Sequence, residues 1–347
     1  MGKIGFNFFK TKLLLVLSIL SLFYSKRISA QSIGGNAVFN FVTLSPSAKM
    51  TALGGNNISH LEGDLGMASY QPAFLNSSMD GQIHLSIKPY LASINQYNFS
   101  FAKHLSRSNT TFGWGVQYMD YGTIPMTDIA GNELGTIRPN EYVLQLSAAT
   151  NYQSNIQIGS SLKFIQSKFG IYQSNGIAAD VGIIYKPYHG LSQWAILVNN
   201  IGVQLKKFNQ KENLPFNITA GYSKKLENAP FEFSLTAQRL TIWDNAYNDP
   251  AFNSTEGYTS PSKYQQLFNH LILGSTLQIG NSFSVLLGYN FLRRYDLNIQ
   301  NQANGLNGFS AGCTFSVNHI QVQYANAFFQ NNLNHHLTML YQLGRRN

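Results

Sequence analysis

The feature of this sequence that most limits its fold is the alternation of apolar residues with small or polar ones. In the segment 283–291 every second residue is Phe, Val, Leu or Tyr, and the residues between them are Ser, Leu, Gly and Asn. The same alternation occurs at 112–118, 156–164, 231–235 and 320–324. Because successive side chains of a strand point to opposite faces, this period of two predicts β-strands with one apolar face.

Fourteen segments of this kind follow residue 80. We predict them as strands at 82–90, 96–105, 110–120, 139–150, 155–166, 175–187, 191–199, 215–224, 230–241, 268–279, 282–292, 307–316, 319–328 and 333–343. Connections after even-numbered strands are short, and those after odd-numbered strands are mostly long, including 121–138, 167–174, 200–214, 242–267 and 293–306. An even strand number with short periplasmic turns and long external loops is typical of bacterial outer-membrane barrels.

The strands of a soluble β-sandwich also alternate, so the residues on the second face decide between a sandwich and a membrane barrel. The second face carries Gly, Ser, Gln and single charges such as Lys163, Asp180 and Glu232, which suit a lumen facing water. Past residue 30 no apolar run approaches the roughly 18 residues of a spanning helix. We therefore predict an all-β fold, an antiparallel transmembrane β-barrel of about 14 strands over residues 81–347, with both of its ends in the periplasm.

Residues 1–30 are predicted to be a cleaved signal peptide rather than a membrane anchor. Lys3, Lys10 and Lys12 precede the apolar stretch 13–24, and the small residues at 28–30 form a cleavage site. This leader holds five basic residues and no acids, so the rest of the chain has a balance of +4 instead of the formal +9. Such a small charge predicts no nucleic-acid partner, and export predicts a location in the outer membrane.

Residues 31–80 do not follow the strand pattern and are predicted to fold into the lumen as an N-terminal plug. Irregular backbone is tolerated at membrane depth only inside the protein or against water. The alternative is a loose periplasmic tail. The residues that mark turns and special backbone angles in this segment are Gly34, Gly35, Gly54, Gly55, Gln71, Pro72 and Ala73.

Several motifs in this segment are recognisable. The sequence Ser-Ile-Gly-Gly-Asn-Ala-Val-Phe begins at residue 32, Ser-Ala-Lys-Met-Thr-Ala-Leu-Gly-Gly spans 47–55, and Asp64 and Pro-Ala-Phe-Leu at 72–75 follow. Together they resemble the opening of the PorQ family, outer-membrane barrels of the Bacteroidetes type IX secretion system. That family belongs with PorV to a group similar to the FadL long-chain fatty-acid transporters.

Two positions depart from the family pattern. Lys49 stands where the family usually has Arg, and Gln71 stands where it usually has Asn. Gln keeps the amide but adds a methylene group. A hydrogen bond made by the Asn is therefore not expected to keep its place here.

The resemblance implies a function that the residue pattern alone does not. PorQ-type barrels anchor the surface protein PorZ within an attachment complex that also contains the sortase PorU and the barrel PorV. This complex cleaves the C-terminal signal of secreted cargo and joins the cargo to lipopolysaccharide. The implied partners are thus PorZ directly, PorU and PorV in the same complex, and lipopolysaccharide or outer-membrane lipid, with no cofactor and no enzymatic activity.

Uptake of hydrophobic molecules, as in FadL-like channels, is the alternative function. A ligand pocket for such molecules should be lined mainly by apolar side chains. The inward positions named by the alternation are mostly polar, which argues against uptake: Gln157, Ser161, Asp180, Glu232, Ser284 and Asn290.

No catalytic or metal-binding residue is predicted. Ser260 and Lys263 match a Ser-x-x-Lys pattern, but the companion Ser-Asp-Asn and Lys-Thr-Gly motifs are missing from the sequence. His335 and His336 are adjacent, so in a strand they face opposite sides and cannot bind one ion from the lumen. A barrel lipase would need a nucleophile and a base placed together, and the sequence offers no such pair.

Basic residues on the long connections are the candidate contacts for a partner. They could meet an acidic protein surface or lipopolysaccharide phosphates, because Arg offers a paired fork of donors and Lys a point charge. The alternative is an ordinary solvated loop surface. These candidates are Lys206, Lys207, Lys211, Arg293 and Arg294.

Overall fold

The computed structural model describes residues 37–188, 190–243, 262–297, 305–329 and 332–344. The predicted signal peptide at 1–30, and Gly34 and Gly35 of the predicted plug, lie outside these described residues. Ser260 lies outside them as well.

Fourteen antiparallel strands form a closed barrel in which the first strand pairs with the last. The barrel strands are β1 Gln82–Pro89, β2 Asn95–Leu105, β3 Thr110–Asp120, β6 Asn140–Gln153, β7 Ile156–Phe169, β8 Tyr172–Tyr185, β9 Ser192–Lys206, β10 Asn217–Lys225, β11 Phe231–Ala237, β12 Leu271–Ile279, β13 Phe283–Asn290, β14 Phe309–Val317, β15 Ile320–Phe329 and β16 Asn332–Gln342. Each predicted segment overlaps one of them. The prediction of a fourteen-stranded antiparallel barrel is confirmed.

Short helices and one extra hairpin complete the described structure. Strands β4 Ile124–Thr127 and β5 Glu133–Ile137 pair only with each other, in the long connection after β3. The α-helices are α1 Ala48–Ala52, α2 Leu65–Ala68, α3 Lys263–Asn269 and α4 Phe291–Asp296, and the 3₁₀ helices are Asn40–Thr43, Pro72–Phe74, Ser77–Met79 and Ser106–Ser108. In the described ranges, no helix combines the length and apolar character that a membrane crossing requires.

Two of the predicted long connections are shorter than expected. Strands β7 and β8 extend to Phe169 and Tyr172, so the predicted loop 167–174 is a tight turn at 170–171. Strand β9 continues to Lys206 because the register shifts opposite Ala179, where Asn200 adopts a φ of 59°. At such a bulge the strand carries an extra residue, and pairing resumes beyond it. The polar residues at the bulge interrupt the alternation, so the sequence predicted the end of the strand too early.

The alternation of the strands divides the barrel wall into two faces. Leu287 of β13 is 55% exposed on the outer face, while its neighbour Leu286 is buried on the inner one. Trp114 and Trp194 also lie on the exposed outer face. An apolar outer face is what lipid requires of a spanning barrel.

Residues 38–80 run through the lumen from one end of the barrel to the other. The Val38 amide donates to the carbonyl of Asn213 at 3.0 Å, in the long connection after β9. At the opposite end, the His104 amide donates to Asp80 Oδ1 at 2.8 Å, beside the short turn after β2. We call the end with the long connections the outer end and the end with the short turns the inner end.

Candidate functional site

The plugged lumen is the candidate functional site, and glycines determine how closely plug and wall approach. Ser47 caps the N-terminus of helix α1, because its side chain accepts from the Met50 amide. Gly54 and Gly55 follow the helix with φ of 94° and 125°. L side chains rarely adopt these angles. A Cβ on Gly54 would also lie 2.4 Å from Ile272 Cγ2 of the wall.

Glycines of the wall receive the plug backbone in the same way. A Cβ on Gly288 would lie 2.2 Å from the Gly54 nitrogen, and one on Gly159 would lie 2.4 Å from the Ala73 nitrogen. Pro72 is the first residue of the 3₁₀ helix that rests on this part of the wall. Since backbone atoms cannot rotate away, these wall positions admit no side chain while the plug is in place.

Gln71 is fully buried against the wall. Its Nε2 donates to the Ile196 carbonyl of β9 at 3.3 Å, and its Oε1 lies over Gly182 of β8. A Cβ on Gly182 would be only 1.7 Å from that oxygen. The amide therefore binds the wall directly in this chain.

The part of the plug at 57–75, here called the inner segment, is fixed by a buried ion pair. Lys49 Nζ lies 3.2 Å from Asp64 Oδ2, which also accepts from Gln323 Nε2 of β15 at 2.6 Å. The Met67 amide donates to the other carboxylate oxygen at 2.9 Å. Burial alone would raise the pKa of Asp64, but Lys49 and these hydrogen bonds hold that pKa below its usual value. The pair anchors the plug as a carboxylate and an ammonium.

Further polar contacts tie the inner segment to β11. The Leu61 amide donates to Glu232 Oε1 at 3.0 Å, and Asn57 Nδ2 donates to Ser234 Oγ at 2.8 Å. His60 Nε2 lies 3.8 Å from Glu232 Oε2. Burial lowers the pKa of His60, although Glu232 opposes the shift, so the imidazole is neutral at neutral pH.

At 38–44, here called the outer segment, the plug contacts the wall mainly through apolar side chains. Its cluster comprises Val38, Phe39, Phe41 and Val42 of the plug with Met119, Val143, Ile165, Ala178 and Leu214. Met119, Val143 and Ile165 face the lumen on β3, β6 and β7. The polar inward positions predicted from sequence do face the lumen, and the wall adds an apolar patch at the outer end that was not predicted.

The plug fills the lumen. All fourteen barrel strands present inward side chains that are almost fully buried, for example His84, Gln96, Thr111, Glu141, Ser161, Asp180, Gln193, Thr219, Thr236, Ile272, Leu286, Ser310, Gln323 and Thr338. A cavity between Leu44, Tyr70 and Lys163 has a volume of about 30 Å³. This holds about one water molecule, whereas ligand pockets occupy roughly 300–1,000 Å³. Among the described residues, this part of the lumen is therefore closed to a ligand of that size.

The candidate partner contacts do not form one group. Lys206 ends β9, and Lys207 and Lys211 lie exposed in the connection after it. Arg294 lies on α4. Arg293 also lies on α4, but its Nη2 donates to the Gly54 carbonyl at 3.0 Å, so it binds the plug.

The sequence did not predict which residues would hold the plug. Lys49 and Asp64 are 15 positions apart in an irregular segment, and no period relates them. For Arg293 one signal was available, because Asn290 caps α4 by accepting from the Arg293 amide. The Asn290 amide group also donates to the Gly54 carbonyl at 3.0 Å. In this chain the turn that Asn290 caps brings Arg293 to the lumen.

The described residues form no cluster that could bind a metal ion. Within them, no group of three His, Cys, Asp or Glu side chains is placed to hold a metal ion. His336 is buried in the lumen, and His335 lies on the other face, where it hydrogen-bonds with the Tyr324 hydroxyl at 2.7 Å. The prediction that the two cannot share an ion agrees with this placement.

No family model matches the chain, and no curated protein matches its sequence. Solved structures do match. The CymD monoaromatic hydrocarbon channel is 14% identical with a TM-score of 0.53, covering 89% of this chain and 100% of CymD. The toluene transporter TodX of P. putida is 12% identical with a TM-score of 0.56, covering 88% of this chain and 100% of TodX.

At this identity the likeness shows the fold alone. The matched structures are channels rather than enzymes, and they share the closed antiparallel barrel described above. The chain thus has the fold of FadL-like outer-membrane hydrocarbon transporters, a fourteen-stranded barrel with its N-terminal segment inside.

Proposed function

We propose that this chain is an outer-membrane channel for small hydrophobic molecules, held closed by its plug. The observation that carries the proposal is the apolar wall at the outer end, where Met119, Val143 and Ile165 face the lumen beneath Phe41 and Val42. Apolar lining with a few placed polar groups is typical of ligand sites. The shared fold of TodX and CymD, both named for hydrocarbon transport, supports it further.

Passage requires the outer segment to leave the wall. Besides its apolar contacts, that segment is held by the bond from Val38 to Asn213 and by Gln117 Nε2, which donates to the Phe41 carbonyl at 2.8 Å. Apolar contacts are not directional, so an apolar solute can replace Phe41 and Val42 against the same wall. The inner segment, with its ion pair, would open only after that exchange.

Uptake of labelled toluene by cells that carry or lack the chain tests this function. Val143→Glu places a carboxylate on the apolar wall and should abolish the uptake that the chain supports. The matched control, Ser106→Glu, places the same carboxylate on the exposed turn after β2 at the inner end and should leave uptake unchanged. Unchanged uptake in the deletion strain would contradict the proposal.

A second function is membrane anchorage of PorZ in the type IX attachment complex. Two observations favour it: the motifs at 32–75 resemble the PorQ family, and the cavity between Leu44, Tyr70 and Lys163 in the described part of the lumen is far smaller than a ligand pocket. The solved structures support uptake better than anchorage, since CymD and TodX are both hydrocarbon channels.

Two measurements on one deletion strain separate these functions. Loss of toluene uptake with normal cargo attachment supports the channel. Release of cargo and PorZ into the medium with normal uptake supports the anchor. Affinity purification of a tagged chain from outer membranes gives an independent answer, because recovery of PorZ or PorU is expected only for the anchor.

A further inference from the structure

Two basic side chains, Lys88 and Arg293, lie inside the barrel toward its outer end, and we call them the outer cation cluster. Lys88 and His336 are almost fully buried on the inward faces of β1 and β16, whose pairing places them side by side. Arg293 reaches the lumen from α4, and its guanidinium repels the Lys88 ammonium.

None of the ion pairs among the described residues includes a member of this cluster. Lys88 Nζ lies 5.0 Å from the centre of the Tyr90 ring, and Arg293 Cζ lies 5.0 Å from the centre of the Phe329 ring. Arg293 Nη1 and His336 Nε2 are buried and have no hydrogen-bond partner. The other ring nitrogen of His336 hydrogen-bonds with the Thr51 hydroxyl at 2.9 Å. Aromatic faces offset part of the cost of burying a cation, but they leave the Arg293 Nη1 donor unsatisfied.

The other buried lysines of the lumen show what is missing. Lys49 lies 3.2 Å from Asp64, and Lys163 lies 2.6 Å from Asp180. A buried charge is costly unless it is paired. Among the described residues, the lumen thus supplies a carboxylate to Lys49 and Lys163 and none to Lys88 and Arg293.

We propose that the outer cation cluster binds an oxyanion, a phosphate or carboxylate group that enters from the outer end of the barrel. The free edge of the Arg293 guanidinium donates to it, and Lys88 supplies a point charge. Attachment of the plug accounts for only one of the two terminal nitrogens of Arg293. Nη2 donates to the Gly54 carbonyl, whereas Nη1 has no hydrogen-bond partner. The site does not depend on whether the barrel is a channel or an anchor.

The test uses the purified full chain in detergent, with chloride as the sole small anion. The unfolding midpoint is measured by heat-modifiability on gels as inorganic phosphate is added. Wild type should show a saturable rise of several degrees, because a ligand that binds only the folded state stabilises it. Lys88→Met should remove this rise and should raise the midpoint without phosphate, since it deletes an unpaired buried charge.

Lys103→Met is the matched control, because Lys103 is exposed at the inner end and lies 3.1 Å from Asp80. It should keep the full phosphate response. Arg293→Gln should also lose the phosphate response. If Arg293→Gln does not fold, the result for Lys88→Met tests the proposal without it. The proposal is overturned if wild type shows no saturable rise with any probe, or if Lys88→Met responds as wild type does.

Two further arms identify the source of the oxyanion. In the first experiment, sodium acetate replaces phosphate. In the other, the barrel is reconstituted in phosphatidylcholine vesicles with or without lipopolysaccharide. A Lys88-dependent rise with free phosphate or acetate assigns a soluble ligand, and a rise only with lipopolysaccharide assigns a phosphate of the lipid.

Discussion

The outer and inner segments of the plug are held in the same barrel by different forces. The outer segment packs Phe41 and Val42 on an apolar wall with few hydrogen bonds. The inner segment also buries apolar side chains, such as Leu65 and Met67, but it adds the Lys49–Asp64 ion pair and hydrogen bonds to several strands. Directional contacts specify one position, whereas apolar contacts tolerate exchange. The comparison assigns the first movement to the outer segment and the firmer attachment to the inner one.

Removing one member of the buried ion pair should have the largest effect. Lys49→Met leaves Asp64 uncompensated and should lower the free energy of unfolding by about 3–5 kcal/mol. The double variant Lys49→Met with Asp64→Asn should recover most of this loss. Lys103→Met removes an exposed pair and should cost at most about 1 kcal/mol. Denaturant unfolding of the purified barrel checks all three, and equal losses in Lys49→Met and Lys103→Met would break the comparison.

Acid should loosen the inner segment before the outer one. The pKa of Asp64 is below its usual value, so its contribution to stability is full above about pH 4 and is lost as the pH falls through the lower, folded value. The stability difference between wild type and Asp64→Asn should therefore shrink on acidification. A difference that stays constant down to about pH 2 would show that Asp64 does not act through its charge.

Adding a side chain to the wall beneath the inner segment should have the next largest effect on stability. Gly159→Leu places its Cβ on the backbone of 72–73 and should cost about 3 kcal/mol or displace the plug. Sensitivity of cells to small antibiotics reports displacement. The control is Gly305→Leu, where nothing lies within 4 Å of the added Cβ. A sealed barrel of wild-type stability in Gly159→Leu would contradict the observed contact.

Thinning the outer segment should have a smaller and local effect. Val42→Ala deletes two buried carbons and should cost about 1.5 kcal/mol. Hydrogen exchange should accelerate at 38–44 while protection at 57–75 stays at the wild-type level. Equal acceleration in both segments would mean that the plug opens as one unit.

Charge reversal on the exposed outer lysines should change stability least. The triple variant with Glu at Lys206, Lys207 and Lys211 should unfold within about 0.5 kcal/mol of wild type. If these lysines meet an acidic partner, retention of that partner should fall most at low ionic strength. Partner release into the medium, measured at two salt concentrations, checks this.

The number of strands and the face that each side chain takes were predictable because each strand carries its own period. The extension of β9 was not, because residues 200–206 follow a bulge at Asn200 that breaks the period. The β4–β5 hairpin was missed for a similar reason, since its side chains are exposed on both faces and show no burial pattern.

The contacts of the plug were harder to predict than the wall. Gly54 and Gly55 stood out as glycines, but their neighbours Ile272 and Arg293 come from distant strands and loops. Asp64 was noted only as part of a motif, and its pairing with Lys49 depends on two turns of irregular backbone. Such contacts follow from three-dimensional closure rather than from local pattern.

The path of the plug also constrains how the barrel can assemble. The Ala48 amide donates to Thr338 Oγ1 at 2.9 Å, a contact between residues 290 positions apart. Helix α1 packs on β13 to β16, the last strands to leave a ribosome or a translocon. Contacts so distant in sequence form late and slow the folding of a chain. The pairing of β1 with β16 and the docking of α1 should therefore occur together, late in folding. The last barrel strands to be synthesised would then close around the plug, which is synthesised before them.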